Sequence, residues 1–285
     1  MSKLKIAVQK SGRLHEDSMK LLKDVGISID NGRDQLKASA KNFPIEVFYL
    51  RNGDIPQYLR DGVVDAAIIG ENILFEKGND IPITEKLGFS NCKVSLAVPK
   101  SSTYKSIQDL QGKRIATSYP NTVNQYLIKN KIEAQLHIIN GSVEIAPNIG
   151  LADAIVDIVS SGSTLFKNNL KEVEVLLQSE AVLAVSPLIS RENLEILNKL
   201  KFRFQSVLKG RQSKYVLLNA PNDRIQDIIN ILPGMKSPTV LPLAETGWSS
   251  LHSVINKNDF WHIIDELKLQ GAQGILVCPI ENMVI

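Results

Sequence analysis

Ala154-Ile-Val-Asp157-Ile-Val-Ser160-Ser-Gly162-Ser-Thr-Leu165 sets the fold class of this chain. Ala154 to Val159 is short and apolar enough for a buried parallel strand, yet it carries Asp157, a carboxylate that a strand core has no use for. Ser160, Ser161, Gly162, Ser163 and Thr164 follow as a small polar turn, and Leu165 and Phe166 open a short helix. A strand, a small turn and a helix in that order belong to an α/β layer. The turn offers N–H groups and hydroxyls to an anion, and Gly162 lets the backbone approach a ligand closely. Asp157 and Asp153 are suited to accept hydrogen bonds from the two hydroxyls of a ribose, so the stretch suggests a phosphoribosyl group. A Ser/Gly turn that only caps a helix accounts equally well for these residues.

The flanking sequence repeats the pattern. Asp65-Ala-Ala-Ile-Ile-Gly70-Glu-Asn72 echoes Asp153-Ala-Ile-Val-Asp-Ile-Val-Ser160, which points to two similar α/β lobes. At the start, Leu4 to Val8 reads as a strand, and Leu14, Ser18, Leu21, Leu22 and Val25 share a helical face. Gln9-Lys10-Ser-Gly-Arg13 between them is laid out as a ligand loop, although a solvated basic turn has the same composition. Residues 1–99 and 179–204 are assigned to the first lobe, and residues 100–178 to the second. From residue 205 the order becomes βαββαβ, the ferredoxin-like unit, and residues 205–285 form a module suited to regulation or assembly.

The composition is globular, with 44% apolar and 22% charged residues in 285, and a net charge of only +3 argues against nucleic acid as the main partner. Cys92 and Cys278 are isolated, and the four histidines have no metal-ligand spacing. The N-terminus enters a strand without the apolar core of a signal peptide, and no membrane span is present in the sequence, so the cytoplasm is the expected location.

Glu144-x5-Gly150-x-Ala152-x2-Ile155-x-Asp157-Ile158-x2-Ser161-Gly162-x-Thr164-Leu165 resembles the signature of the ATP phosphoribosyltransferases, the first enzymes of histidine biosynthesis. Gln9 to Arg13, Gly70-Glu-Asn72, Ile115 to Pro120 and Gly141-Ser-Val-Glu144 are similar to the same family, so the likeness spans the whole chain. It implies a two-lobed, periplasmic-binding-protein-like catalytic unit followed by an ACT-like ferredoxin-like domain, the long form that works without a separate regulatory subunit. The implied reaction joins adenine N1 of ATP to ribose C1 of phosphoribosyl pyrophosphate, with Mg²⁺ on the departing pyrophosphate.

On that resemblance the phosphoribosyl pyrophosphate site is Asp153, Asp157, Ser160, Ser161, Gly162, Ser163 and Thr164. Gln9, Lys10, Arg13, Arg51 and Tyr119 fall to the nucleotide, Tyr119 by packing on adenine, and Asp157, Glu71 and Lys10 to catalysis. Simple packing would explain Tyr119 as well. The metal ligands stay unassigned. Asn219, Thr239, Val254 and Gly274 occupy positions like the family's histidine pocket, with Asn219 where an acidic residue is usual. Feedback by histidine and a homo-oligomer, dimer or hexamer, are implied too. Two-lobed architecture is also shared with non-catalytic binders: a solute-binding or effector-sensing protein, and an amino-acid-binding regulator with a vestigial cleft, are the rival readings.

Overall fold

A computed structural model describes residues 3–30, 35–160, 162–232, 234–235 and 237–284. It divides into two compact units, Met1–Asn198 and Lys199–Ile285. The chain lays down β1 (Leu4–Gln9), β2 (Lys37–Ser39), β3 (Ile45–Leu50), β4 (Ala66–Gly70) and β5 (Ile83–Lys86) in one sheet. It then crosses to build a second sheet from β6 (Cys92–Pro99), β7 (Arg114–Thr117), β8 (Gln135–Ile138), β9 (Ala154–Val159) and β10 (Leu170–Ser179). β11 (Ala181–Val185) carries it back to the first.

The sheet orders are β2-β3-β1-β4-β11-β5 and β10-β6-β9-β7-β8. In each lobe a parallel trio, β3-β1-β4 or β8-β7-β9, is extended by an antiparallel strand, β11 or β6, that has just arrived from the other lobe. This is the two-lobed periplasmic-binding-protein-like arrangement, and the echo between the two halves of the sequence is its internal repeat.

The lobe boundary falls earlier than residue 99. Val94, Leu96 and Val98 of β6 pack with Ile115, Val123 and Val156 in the core of the second lobe, because β6 pairs along its length with β9 and β10. The two compact units divide within the continuous helix Arg191–Gln212, after Asn198 and so ahead of residue 205.

The second unit contains β12 (Ser213–Pro221), β13 (Thr239–Pro242), β14 (Trp248–Asn256) and β15 (Gln273–Pro279) in the antiparallel order β13-β14-β12-β15. With the helices Ile225–Ile231 and Phe260–Leu269 between strands, this is the ferredoxin-like topology. Val216, Leu218, Ala220, Leu251 and Ile255 alternate onto the face that the helices cover through Ile228 and Leu267. No helix among the described residues is long and apolar enough to cross a membrane.

The lobes of the first unit are joined at a polar seam. Helix Glu71–Lys77 follows β4, and its buried Asn72 donates into the other lobe: its N–H donates to Ser179 Oγ at 2.9 Å, and its Nδ2 donates to Tyr119 OH at 2.9 Å. A Cβ on Gly70 would overlap the Asn72 side chain, so glycine is required there by close approach. Four residues on, buried Glu76 accepts hydrogen bonds from the N–H groups of Asn121 and Thr122, each at 2.9 Å, and from the Thr122 hydroxyl at 2.8 Å. The helix Pro120–Asn130 has no side-chain cap at its own N-cap residue, Tyr119. The first lobe therefore caps a helix of the second, where a carboxylate also meets the favourable end of the helix dipole.

Glu76→Ala would leave those donors buried without a partner. We expect it to lower stability by about 1–3 kcal/mol, read from the midpoint of urea unfolding, and an unchanged midpoint would show the cap to be dispensable.

Candidate active site

β9 is the centre of the second lobe, between antiparallel β6 and parallel β7. Ala154 and Val156 point into one apolar cluster, and Ile155 and Val159 into the other, which is roofed by Val143, Ala146 and Leu165. Asp157 shares the Ile155 side of the strand, and Thr117 Oγ1 fastens the end of β7 to β9 by donating to Val156 O at 2.7 Å. Gly162, with φ +74°, turns the chain into helix Ser163–Lys167, which packs Leu165 back onto the sheet. These elements enclose a cavity of about 140 Å³ lined by Glu144, Asp157, Ser160, Gly162, Ser163 and Thr164. Ser161 lies outside the described residues.

Asp157 Oδ1 accepts from the Ile158 N–H at 2.8 Å and from the Ser118 hydroxyl at 3.2 Å. Burial pushes its carboxyl above the ordinary value against those two donors, with the Glu144 charge adding to the rise. Glu144 and Ser118 were not assigned roles from sequence. Glu144 stood in the signature, but only the fold brings it opposite Asp157.

Asp153 is not part of this cavity. It precedes β9, at the end of the strand opposite the turn, about 20 Å away for a strand of that length. There it accepts from Arg114 Nη2 at 2.9 Å, Nε at 3.2 Å and the Arg114 N–H at 3.0 Å. The guanidinium holds its carboxyl down to about 2. The expectation that Asp153 and Asp157 share the two ribose hydroxyls is therefore corrected: Asp153 is a fastening between β7 and β9, and Glu144 is the carboxylate beside Asp157.

A second cavity of about 370 Å³ shares Val159 and Ser160 with the first, and Glu71, Lys86, Cys92, Lys93 and Glu180 complete its polar wall. Glu71 thus lines the larger cavity. Gln9, Lys10 and Arg51 follow the C-terminal ends of the neighbouring parallel strands β1 and β3, whose Gln9 and Leu50 are in register. They stand side by side on the edge where α/β sheets bind ligands, outside the linings of the two cavities. Arg13 heads the first helix, 3.8 Å from Asp17. Burial raises the Cys92 thiol, and Ser179 and the Arg13 charge pull it back, so Arg13 is felt at the wall of the larger cavity.

Tyr119 is 7% exposed, with its hydroxyl on Asn72 and pushed up to about 12 by burial. It is a pillar of the seam, with no free face for adenine, which corrects its assignment to the nucleotide.

The model of the ATP phosphoribosyltransferase family matches residues 51–206, and that of the HisG C-terminal domain matches residues 210–282. The chain belongs to the ATP phosphoribosyltransferase family. It is 54% identical over 281 residues to the ATP phosphoribosyltransferase of Cytophaga hutchinsonii, covering 99% of this chain and 98% of that one. The enzyme of the same name from Parabacteroides distasonis is 52% identical, with 99% and 100% covered. Among solved structures, the ATP phosphoribosyl transferase (HisG:HisZ) complex from Thermotoga maritima is similar at 31% identity and a TM-score of 0.63, over 72% of this chain and 98% of that one. The chain is accordingly a pentosyltransferase of histidine biosynthesis.

In the phosphoribosyltransferase's second unit, Asn219, Thr239 and Val254 alternate onto the sheet face that the helices leave open. Between them Tyr215 OH meets His252 Nδ1 at 2.8 Å, and Ser250 Oγ meets His252 Nε2 at 3.1 Å. Gly274, with φ +57°, lies against Asn219, 3.5 Å from its Nδ2 by way of an added Cβ. Among the described residues no group of three His, Cys, Asp or Glu could hold a metal ion. The donor set fits Mg²⁺ only where phosphates and water supply most of the ligands, with Asp157 or Glu71 adding one oxygen.

Asp153, just ahead of β9, and Asp157, within it, carry opposite signatures. A raised folded-state value means that Asp157 favours the fold at low pH and loses that contribution as pH rises through the raised value. A value lowered to about 2 means that Asp153 stabilises above its ordinary 3.8 and stops doing so as pH falls toward 2. At pH 7 we expect Asp157→Asn to be at least as stable as the parent and Asp153→Asn to be less stable, with the Asp153 deficit closing between pH 3.8 and about 2. Urea midpoints across that range check this, and shifts of the same sign at pH 7 would contradict it.

Proposed function

We propose that this phosphoribosyltransferase joins N1 of the ATP adenine to C1 of phosphoribosyl pyrophosphate, giving N1-(5-phosphoribosyl)-ATP and pyrophosphate as the first step of histidine biosynthesis in the cytoplasm. The observation that carries the reading is the small cavity in which Asp157 and Glu144 face the Ser160–Thr164 turn. An anion on the turn meets N–H and hydroxyl donors, and the two carboxylates are left for ribose hydroxyls. As the C1–O bond lengthens, positive charge grows on the ribose. A half-buried carboxylate stabilises that charge more than one in water, so Asp157 acts by position and field, without a protein nucleophile.

ATP then enters from the first lobe, with Lys10, Arg13 and Arg51 on its phosphates and Arg able to pair bidentately. Mg²⁺, when bound, neutralises the pyrophosphate. Gln9 supports the loop, its Nε2 donating to Ser11 O at 2.7 Å. Histidine acts as feedback inhibitor on the open face of the second unit, where Asn219, Thr239, Val254 and Gly274 surround the Tyr215–His252–Ser250 group. It can inhibit only by binding one conformation or assembly of a homo-oligomer better than another, with no separate regulatory subunit needed.

Protein, ATP, phosphoribosyl pyrophosphate and Mg²⁺ together are expected to release pyrophosphate, with each substrate required. Asp157→Ala should lower kcat at least about 100-fold while keeping the fold. Histidine should inhibit the parent, and Thr239→Trp should be less sensitive. Turnover by Asp157→Ala at the parental rate would refute the site, and a parent indifferent to histidine would refute the effector role.

A further inference from the structure

We propose that Lys86 is the cation that receives the diphosphate of the phosphoribosyl donor. The proposal deepens the active-site reading and rests on the Ser160–Thr164 turn being the donor's phosphate site.

Lys86 ends β5, paired with Val182 of β11, and so lies beside the end of β4 from which Glu71 emerges. Its Nζ sits between two carboxylates, 3.5 Å from Glu71 Oε1 and 3.7 Å from Glu180 Oε1. Both separations exceed the usual N–H···O range, so the carboxylates hold the ammonium by charge while its three donors stay available. The side chain is 61% exposed, whereas Glu71 and Glu180 are 14% and 23% exposed. Glu180 is itself fixed by the Gly88 N–H at 2.8 Å. An exposed cation thus lies between two less exposed carboxylates, one of them held by the backbone.

Lys93, on the same cavity wall, contrasts with it: its Nζ is 2.6 Å from Glu172, which also accepts from Ser95. Lys93 is committed, and Lys86 is the cation with donors to spare.

The cavity supplies the route. The space beside Lys86 and the phosphate cavity share Val159 and Ser160, so a molecule seated on the turn with its ribose at Asp157 can extend into the larger cavity. The part of the donor that must extend is the group on C1. When the N1 lone pair of adenine forms the new bond, the C1–O electron pair leaves on that diphosphate, and the proton shed by the exocyclic amino group goes to solvent. A compact ammonium with three rotatable donors suits a diphosphate whose charge rises during the step. Glu71 and Glu180, left behind when Lys86 turns to the ligand, repel the free product and favour its departure.

The test compares full-length Lys86→Gln and Lys86→Arg with the parent, using titrations of phosphoribosyl pyrophosphate and of inorganic pyrophosphate alone, and the KM for ATP. Lys86→Gln should weaken both diphosphates about 10- to 100-fold, the worth of one charged hydrogen-bonding group, while the KM for ATP stays within about twofold. Lys86→Arg should recover most of the loss. Unchanged binding of both diphosphates, equal weakening of ATP, or an Arg variant as poor as Gln would overturn the assignment.

Asp157→Asn separates this failure from that of the parent reading. It should weaken phosphoribosyl pyrophosphate but leave inorganic pyrophosphate, which has no ribose, unaffected. If it leaves phosphoribosyl pyrophosphate binding unchanged, the turn is not the donor site and the Lys86 proposal falls with it. If it weakens the donor while Lys86→Gln does not, the site stands and Lys86 alone is displaced.

Discussion

The catalytic unit depends on a buried polar seam. Asn72 and Glu76 stand one helical turn apart on helix Glu71–Lys77, Asn72 donating to Ser179 and Tyr119 of the second lobe and Glu76 accepting from its Asn121 and Thr122. Asn72, Glu76, Tyr119, Thr122 and Ser179 are buried, so breaking a bond among them strands polar atoms away from water, which costs more than the bond's net worth when made. Apolar contacts would tolerate sliding between the lobes. Directional hydrogen bonds do not, and they define one relation between the two sheets.

That relation places the chemistry. The residue between Gly70 and Asn72 is Glu71, so the segment that locks the seam also aims a carboxylate into the cleft. On the other side, Thr117 ends β7 and accepts from the Tyr119 N–H, and Ser118 between them donates to Asp157. The seam and the site therefore share two short stretches of chain. Strain or misplacement in one is transmitted to the other over a single residue.

The carboxylates divide into those that hold structure and those that line a cavity. Asp153 is neutralised by Arg114 and Glu76 by a helix N-terminus, and neither is free for substrate. Asp157 and Glu144 face each other across a cavity with no cation in its lining, and burial raises Asp157 as a result. In the second unit the same economy of polar groups leaves Tyr215, Ser250 and His252 hydrogen-bonded to each other on an otherwise uncovered sheet face.

Much of this was legible in the sequence. Ile45–Leu50, Arg114–Thr117 and Phe260–Leu269 occupy the residues that local patterning marks, because apolar periodicity and Gly or Pro punctuation act over a few residues. The βαββαβ order, the Ser160–Thr164 turn and the family resemblance are likewise properties of contiguous stretches. What sequence left undecided is which distant residues meet. Val94 to Val98 reads as a strand in either lobe, and only its pairing with β9 and β10 assigns it to the second. Asp153 and Asp157 look alike four residues apart, yet the fold sets Asp153 on an arginine ahead of β9 and Asp157 within the strand, in the cavity beside the turn. Tyr119 looks available for adenine until Asn72, 47 positions away, takes its hydroxyl into the core. Local propensity is written residue by residue, but the partner of a polar side chain is set by long-range packing, and that only the tertiary structure decides.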